Sequence, residues 1–156
     1  MGDALRRRLQ QTRFESPYHE AVLNLMVAAS HVRAALERVC AEFHITEGQY
    51  NVLRILRGAH PDGYSRCEIS RRMVERAPDV TRRIDHLEEQ ALVERVRTGS
   101  DRRLSITRIT RKGLQLLERM QPSVSGVNQA LAERLAIRDA RELSRICERI
   151  YDHDRR

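Results

Sequence analysis

The sequence predicts a mainly α-helical fold that carries one small antiparallel β-hairpin. Three observations predict it. Apolar residues recur every three or four positions along most of the 156 residues, which is the helical period. Aromatic residues make up only 4% of the chain and Trp is absent, which speaks against an all-β architecture, because strands draw on aromatic and β-branched side chains. Only between residues 92 and 109 does the period shorten to that of extended chain, on either side of Gly99-Ser100-Asp101. The length suits one domain with a real core and is short for two independent ones.

Residues 1–16 are polar and Arg-rich without a clear period, and are read as a flexible N-terminal arm or a frayed helix start. Ser16 then stands as a helix cap with Pro17 at the first helical position, where its missing N–H costs nothing. Val22, Met26, Ala29, Val32, Leu36, Val39 and Phe43 form one apolar face of the long helix that follows. Thr46 with Gln49 makes a capping box, after which Tyr50, Leu53 and Leu56 share one side of a helix. Gly58 to Gly63, with Pro61 between them, is a loop by turn chemistry. Ser65 with Glu68 is a second capping box and opens a short helix whose Ile69 and Met73 face inward. Pro78-Asp79 begins a further helix with Val80, Ile84, Leu87 and Ala91 as its buried stripe.

Segments 92–97 and 104–109 form the hairpin. Val96 and Ile109 break the parity set by Val93, Leu104 and Ile106, so the alternation leaves the register open. Thr110 caps a helix bearing Leu114, Leu117 and Met120, which Pro122 is expected to bend or break. Val127, Leu131 and Leu135 continue a helical period, and Leu143, Ile146, Cys147 and Ile150 mark a final helix. The whole order is that of a winged helix-turn-helix lobe at 46–110, with long N- and C-terminal helices at 17–45 and 111–156 as a helical dimerisation region. The apolar faces at 22–43 and 127–150 are too long for so small a lobe to cover, and are expected to pair across a two-fold axis in a homodimer.

The net charge of +7 points to a polyanionic partner, nucleic acid ahead of a membrane surface. From residue 95 to 112 stand Arg95, Arg97, Arg102, Arg103, Arg108, Arg111 and Lys112 against the single acid Asp101, so nearly all of the net charge gathers on the hairpin and its exit. A solvated loop has no reason to collect like charge, whereas a wing laid along phosphates releases a counterion for each one it neutralises. The helix at 78–91 presents Pro78, Asp79, Arg82, Asp85 and His86 opposite its apolar stripe, with Thr81 and Arg83 flanking that face. Arg82 has the fork that fits guanine O6 and N7, and Thr81, Arg83 and His86 suit bases or phosphates. Double-stranded DNA is therefore the expected partner, with Arg76, Asp79, Thr81, Arg82, Arg83, His86, Arg97, Arg102 and Arg103 as its contacts. A protein-interaction module, its basic wing docked on an acidic protein, is the alternative from another class.

No apolar run approaches the ~18–20 residues that a membrane helix needs. Arg6-Arg7-Arg8 has no apolar stretch behind it, so a cytoplasmic protein without a membrane partner is expected. Cys40, Cys67 and Cys147 are far apart and form no metal-ligand spacing with His, so they read first as buried thiols, with no metal and no cofactor expected. The six His are scattered and pair with no nucleophile or Gly-rich phosphate loop, which excludes the common enzyme constellations.

At the wing the residues resemble a known family. Leu92-Val93-Glu94-Arg95, then Asp101-Arg102-Arg103, then Ile109-Thr110-Arg111-Lys112-Gly113 is similar to the L-V-x-R, D-x-R, L-T-x-x-G signature of the MarR family of transcriptional regulators, with Ile in place of Leu. Val80 to Glu88 resembles that family's recognition helix, and the likeness in helix order runs from about residue 17 to 152. It implies a homodimer built by the first helix and the last two, a pseudo-palindromic operator, Arg103 at the wing tip in a minor groove, and Asp101 and Arg95 as wing supports. It also implies a small aromatic or phenolic effector between the dimer helices and the DNA-binding lobe, for which Met26, His31, Arg33, Tyr50 and Leu53 are the candidate liners. The family's peroxide sensors carry a Cys near the start of the first helix, where this sequence has none; its zinc sensors use His after the wing, and residues 110–135 contain none.

Overall fold

The computed structural model describes residues 3–75, 79–97 and 105–152. Two helices, α1 (Asp3–Leu9) and α2 (Pro17–Glu42), precede α3 (Glu47–Gly58), a two-residue strand β1 (Tyr64–Ser65), α4 (Arg66–Arg72) and α5 (Val80–Glu89). Strands β2 (Val93–Arg97) and β3 (Ser105–Ile109) follow, then α6 (Arg111–Ala132) and α7 (Ile137–Tyr151). The expected mainly α fold with a small antiparallel wing is what the chain adopts, with one addition: β1 joins the outer side of β3, giving a three-stranded sheet in the order β1-β3-β2. A two-residue strand carries too little alternation to announce itself; its pairing with Ile106 and Thr107 creates it.

Local chemistry sets most of the boundaries. Ser16 accepts a hydrogen bond from the His19 amide at 3.1 Å, and Pro17 opens α2 as expected. The capping boxes at Thr46/Gln49 and Ser65/Glu68 are both formed. Hydrogen bonds to Ser65 hold the Glu68 carboxyl below its ordinary value. Thr110 accepts from the Gly113 amide at 3.1 Å and donates to the carbonyls of Ala91 and Leu92, so one hydroxyl both caps α6 and ties it to the end of α5.

Two expectations are corrected, and two readings left open are decided. Within residues 1–16 the helical reading holds: α1 forms, and Leu5 is only 3% exposed. Arg6 and His19 each contact the Phe14 ring, at 5.8 and 6.2 Å, which anchors the stretch to the start of α2. Pro122 does not interrupt its helix; α6 runs unbroken through it. Leu116, Leu117 and Met120 before it and Val124 after it pack on the core, and that packing offsets the one backbone hydrogen bond that proline removes. Ala91 does not extend the buried stripe of α5, because the helix stops at Glu89 and Ala91 turns left-handed (φ 57°) and exposed, its amide donating back to the Glu88 carbonyl at 2.8 Å. The hairpin register, left open by the alternation, pairs Val93 with Ile109, Arg95 with Thr107 and Val96 with Ile106. Val93, Thr107 and Ile109 are buried, while Val96 and Ile106 share the other face half-covered, which is why the apolar residues broke parity.

The core lies where α3, α4, α5, the sheet and the first half of α6 meet. Leu53, Leu56, Ile69, Ile84, Leu87 and Met120 are its largest fully buried side chains. The lower end of α2 joins it through Cys40, with Leu36, Val39 and Phe43 packed alongside. The upper part of α2 and all of α7 do not: Val22, Leu25, Met26 and Val32 are exposed, and α7 contains no buried residue. No helix among the described residues is long and apolar enough to cross a membrane.

Candidate nucleic-acid interface

Helix α5 is seated by its apolar stripe. Val80, Ile84 and Leu87 are 4%, 1% and 0% exposed, which fixes the opposite side outward. On that side Thr81, Arg82 and His86 are exposed. Arg66 at the start of α4 reaches the Thr81 hydroxyl at 3.4 Å, so a cation missed at the sequence level stands beside the outward face. His86 lies 3.3 Å from Glu89. Asp79 caps α5 without a side-chain hydrogen bond to the helix and instead pairs with Arg83 at 3.0 Å. Arg83 is thereby drawn away from the outward face, its side chain only 22% exposed and laid over Gly48 of α3.

The hairpin is bound to α5 by Arg95. Its guanidinium bridges Asp85 and Glu88, the latter at 2.7 Å, while its amide donates to Glu88 Oε1 at 3.2 Å. Two other wing cations also have internal partners. Arg108 donates to the Asp62 carbonyl at 3.1 Å and Lys112 to the Gln90 carbonyl at 2.8 Å. The positive charge counted along the sequence is therefore divided, part of it holding the wing in place. Arg76, Asp101, Arg102 and Arg103 lie outside the described residues, as does the side chain of Arg97, the last residue of β2.

The five candidate effector liners do not converge. Leu53 is wholly inside the core. Met26 is 63% exposed on α2. His31 lines a groove of about 520 Å³ between α1, α2 and α6, and Arg33 lines another of about 640 Å³ between α2, α3 and α5, where it pairs with Glu75. Tyr50 borders a third, of about 380 Å³, where α2, α3 and α6 meet, together with Leu36, Arg54, Arg57 and Val124. Burial pushes the Tyr50 phenol up, against the opposing pull of Arg54 and Arg57. Glu75 and Glu88 escaped the sequence reading because their partners, Arg33 and Arg95, stand more than four positions away. The Asp79–Arg83 pair was the exception, being readable from its spacing of four. Among the described residues no group of three or more metal-binding side chains comes together.

Known proteins place this geometry. The MarR family model matches residues 45–105, from just before α3 to the first residue of β3. A MarR transcription factor from Planctomyces limnophilus is 35% identical, with 87% of this chain and 98% of that one covered and a TM-score of 0.69. The chain belongs to the MarR family. Two more distant structures share the MarR fold: MepR of S. aureus, solved as a DNA complex, at 18% identity, 90% and 98% coverage and TM-score 0.75, and CouR of Rhodococcus jostii RHA1, bound to p-coumaroyl-CoA, at 18% identity, 88% and 95% coverage and TM-score 0.74. No curated protein matches the sequence. In the MarR fold α3 to β3 make the winged helix-turn-helix lobe, and α2, α6 and α7 are the helices outside it.

Proposed function

We propose that this MarR-family protein is a ligand-responsive repressor that binds a pseudo-palindromic operator as a homodimer. The observation that carries the reading is α5 itself: a buried stripe of Val80, Ile84 and Leu87, an exposed face with Thr81, Arg82 and His86, and a basic wing tied to it through Arg95. An α-helix of this kind fits a major groove, and the wing cations suit the flanking phosphates or minor groove. Dimerisation through α2, α6 and α7 is supported by the exposed Val22, Met26, Leu131, Leu143, Ile146 and Ile150, which the lobe leaves uncovered. The two recognition helices would then stand about 34 Å apart, one turn of DNA. The protein works in the cytoplasm, where its DNA is.

For the effector, the groove at Tyr50 is the best-supported site, because it joins an apolar floor to Arg54 and Arg57, a setting suited to an aromatic acid. Relatives bound to p-coumaroyl-CoA and regulated by 6-hydroxynicotinic acid support a ligand of that kind. The test is an electrophoretic shift with a random duplex pool at two salt concentrations, followed by sequencing of the bound fraction. Enrichment of an inverted repeat, with binding that weakens steeply in salt, is the expected result. Absence of any shift at low salt would overturn DNA binding and favour a protein partner for the wing.

A further inference from the structure

Two grooves flank α5. One, of about 640 Å³, lies toward α2 and α3 and is bordered by Arg82 and His86. The other, of about 720 Å³, lies toward the wing, between the start of α4, α5 and β3, and is bordered by Thr81 and Asp85. Ile84 and Ile106 give this wing-side groove an apolar lining, and the hydroxyls of Thr81 and Ser105 give it a polar one. Asp85 is the one carboxylate along it among the described residues, and Arg95 holds that carboxylate in an ion pair. Arg66, the first residue of α4, is the other cation of the groove. Its partner is the neutral Thr81 hydroxyl at 3.4 Å, and among the described residues no carboxylate stands within ion-pair range of it. The wing-side groove thus carries a positive charge that the described protein leaves unanswered.

We infer that this groove is the seat of a backbone phosphate of the bound duplex, with Arg66 as the group that neutralises it. The inference rests on the DNA-binding reading proposed above. A helix in the major groove and a wing in the neighbouring minor groove have one sugar–phosphate strand between them, because that strand is the wall the two grooves share. The channel between α5 and the wing is where that strand runs. A guanidinium offers five N–H donors in a fixed fork, so one can stay with Thr81 while others meet the oxygens of a phosphate. The Thr81 and Ser105 hydroxyls, on the same groove, can each add a donor. Arg66 reaches the strand from α4, beside the helix that faces the bases, so it serves every base sequence alike and fixes the register of the lobe on the duplex.

Wild type, Arg66→Ala and Arg66→Lys are titrated by fluorescence anisotropy over several salt concentrations, with circular dichroism to check folding. The ligands are the duplex enriched from the random pool, an unrelated duplex, and the enriched duplex with a neutral methylphosphonate in place of one phosphate at a time. Arg66→Ala should weaken binding to the enriched and unrelated duplexes by a similar factor and lower the salt slope by about 1 per subunit, while selection from the pool returns the same half-site. Arg66→Lys should keep the slope, because it keeps the charge. One methylphosphonate position in each half-site should weaken wild type and leave Arg66→Ala indifferent. Bound duplex should also slow maleimide labelling of Cys67, an exposed thiol on the same groove. With wild type bound to DNA, the inference is overturned by an unchanged slope or a changed base preference in Arg66→Ala, by the lack of any such methylphosphonate position, or by Cys67 labelling as fast as in the free protein. Failure of wild type to bind any duplex overturns the DNA-binding reading itself, and the phosphate seat with it.

Discussion

Gly113 has no room for a side chain: a Cβ there would stand 2.3 Å from the Leu92 carbonyl oxygen and 2.7 Å from Ile109 Cγ1. This is the physical content of the glycine in the Ile109-Thr110-Arg111-Lys112-Gly113 motif, where the start of α6 passes against the end of α5 and the wing. Gly113→Ala should therefore destabilise the fold by about 1–3 kcal/mol in urea unfolding. Helix propensity alone predicts a gain of up to about 1 kcal/mol, so the sign of the change decides between the two. Cysteine reactivity separates at the same scale, because of the three expected buried thiols only Cys40 is buried, Cys67 being exposed and Cys147 half-buried. Cys40 is fully buried, and burial, with help from Glu47 and Glu37, pushes its thiol up to about 11. It stays protonated at neutral pH, so a maleimide should label the exposed Cys67 rapidly and Cys40 only after unfolding, as read by peptide mass mapping. Equal labelling rates would contradict the packing of α2 on the lobe. Glu68 gives a pH signature: its carboxyl sits below the ordinary 4.5 because hydrogen bonds from Ser65 favour the charged form. That contribution is complete above about pH 4.5 and disappears as pH falls through the lowered value. The stability gap between wild type and Glu68→Ala should thus be full at neutral pH and shrink in acid.

Among the elements, the recognition helix and the wing behave as one unit because Arg95 joins them. Its side chain is 31% exposed, and those of Asp85 and Glu88 are 47% and 39% exposed, so water screens much of the attraction. Arg95→Ala should cost about 1 kcal/mol or less in unfolding free energy. Its main effect should be weaker DNA binding, seen by fluorescence anisotropy, because the wing loses its fixed angle to α5. Reading and positioning should separate in the same assay. Arg82 is exposed on the outward face of α5, and Arg82→Ala should cost about 1–3 kcal/mol of binding and relax preference at one base pair in each half-site. Arg103→Ala should weaken binding to most sequences and lower the salt slope by about 1, with the larger loss on narrow A·T-rich flanks. An unchanged slope for Arg103→Ala would remove the wing from the DNA contacts.

At the scale of the whole molecule, α7 decides what the chain does alone. Its Leu143, Ile146 and Ile150 repeat at helical spacing, yet they are 43%, 43% and 49% exposed, and nothing in the helix is buried. A stripe of this length left in water is the mark of a partner surface. Light scattering at micromolar concentration should give twice the 18.2 kDa of one chain. Leu143→Arg together with Ile146→Arg should yield a folded monomer with greatly reduced operator affinity, since each lobe then binds a half-site by itself. A wild-type monomer with intact helicity would contradict the dimer.

The sequence by itself determined the helix order, both capping boxes and the cap at Thr110, because each depends on residues within four positions of one another. It also located the wing, since charge density and a turn are local properties. Only the tertiary structure decided the rest. Strand β1 exists because β3 offers it an edge, and the hairpin register follows from which of its apolar residues the core admits. Pro122 stays within α6 because the helix is packed on both sides of it. Arg83, Arg95, Arg108 and Lys112 counted as candidate or wing cations along the chain, yet each holds an internal partner, and Tyr50, His31 and Arg33 line three separate grooves. Composition records that a charge is present. Which of several partners it meets depends on helices brought together from distant parts of the chain, and no local period carries that information.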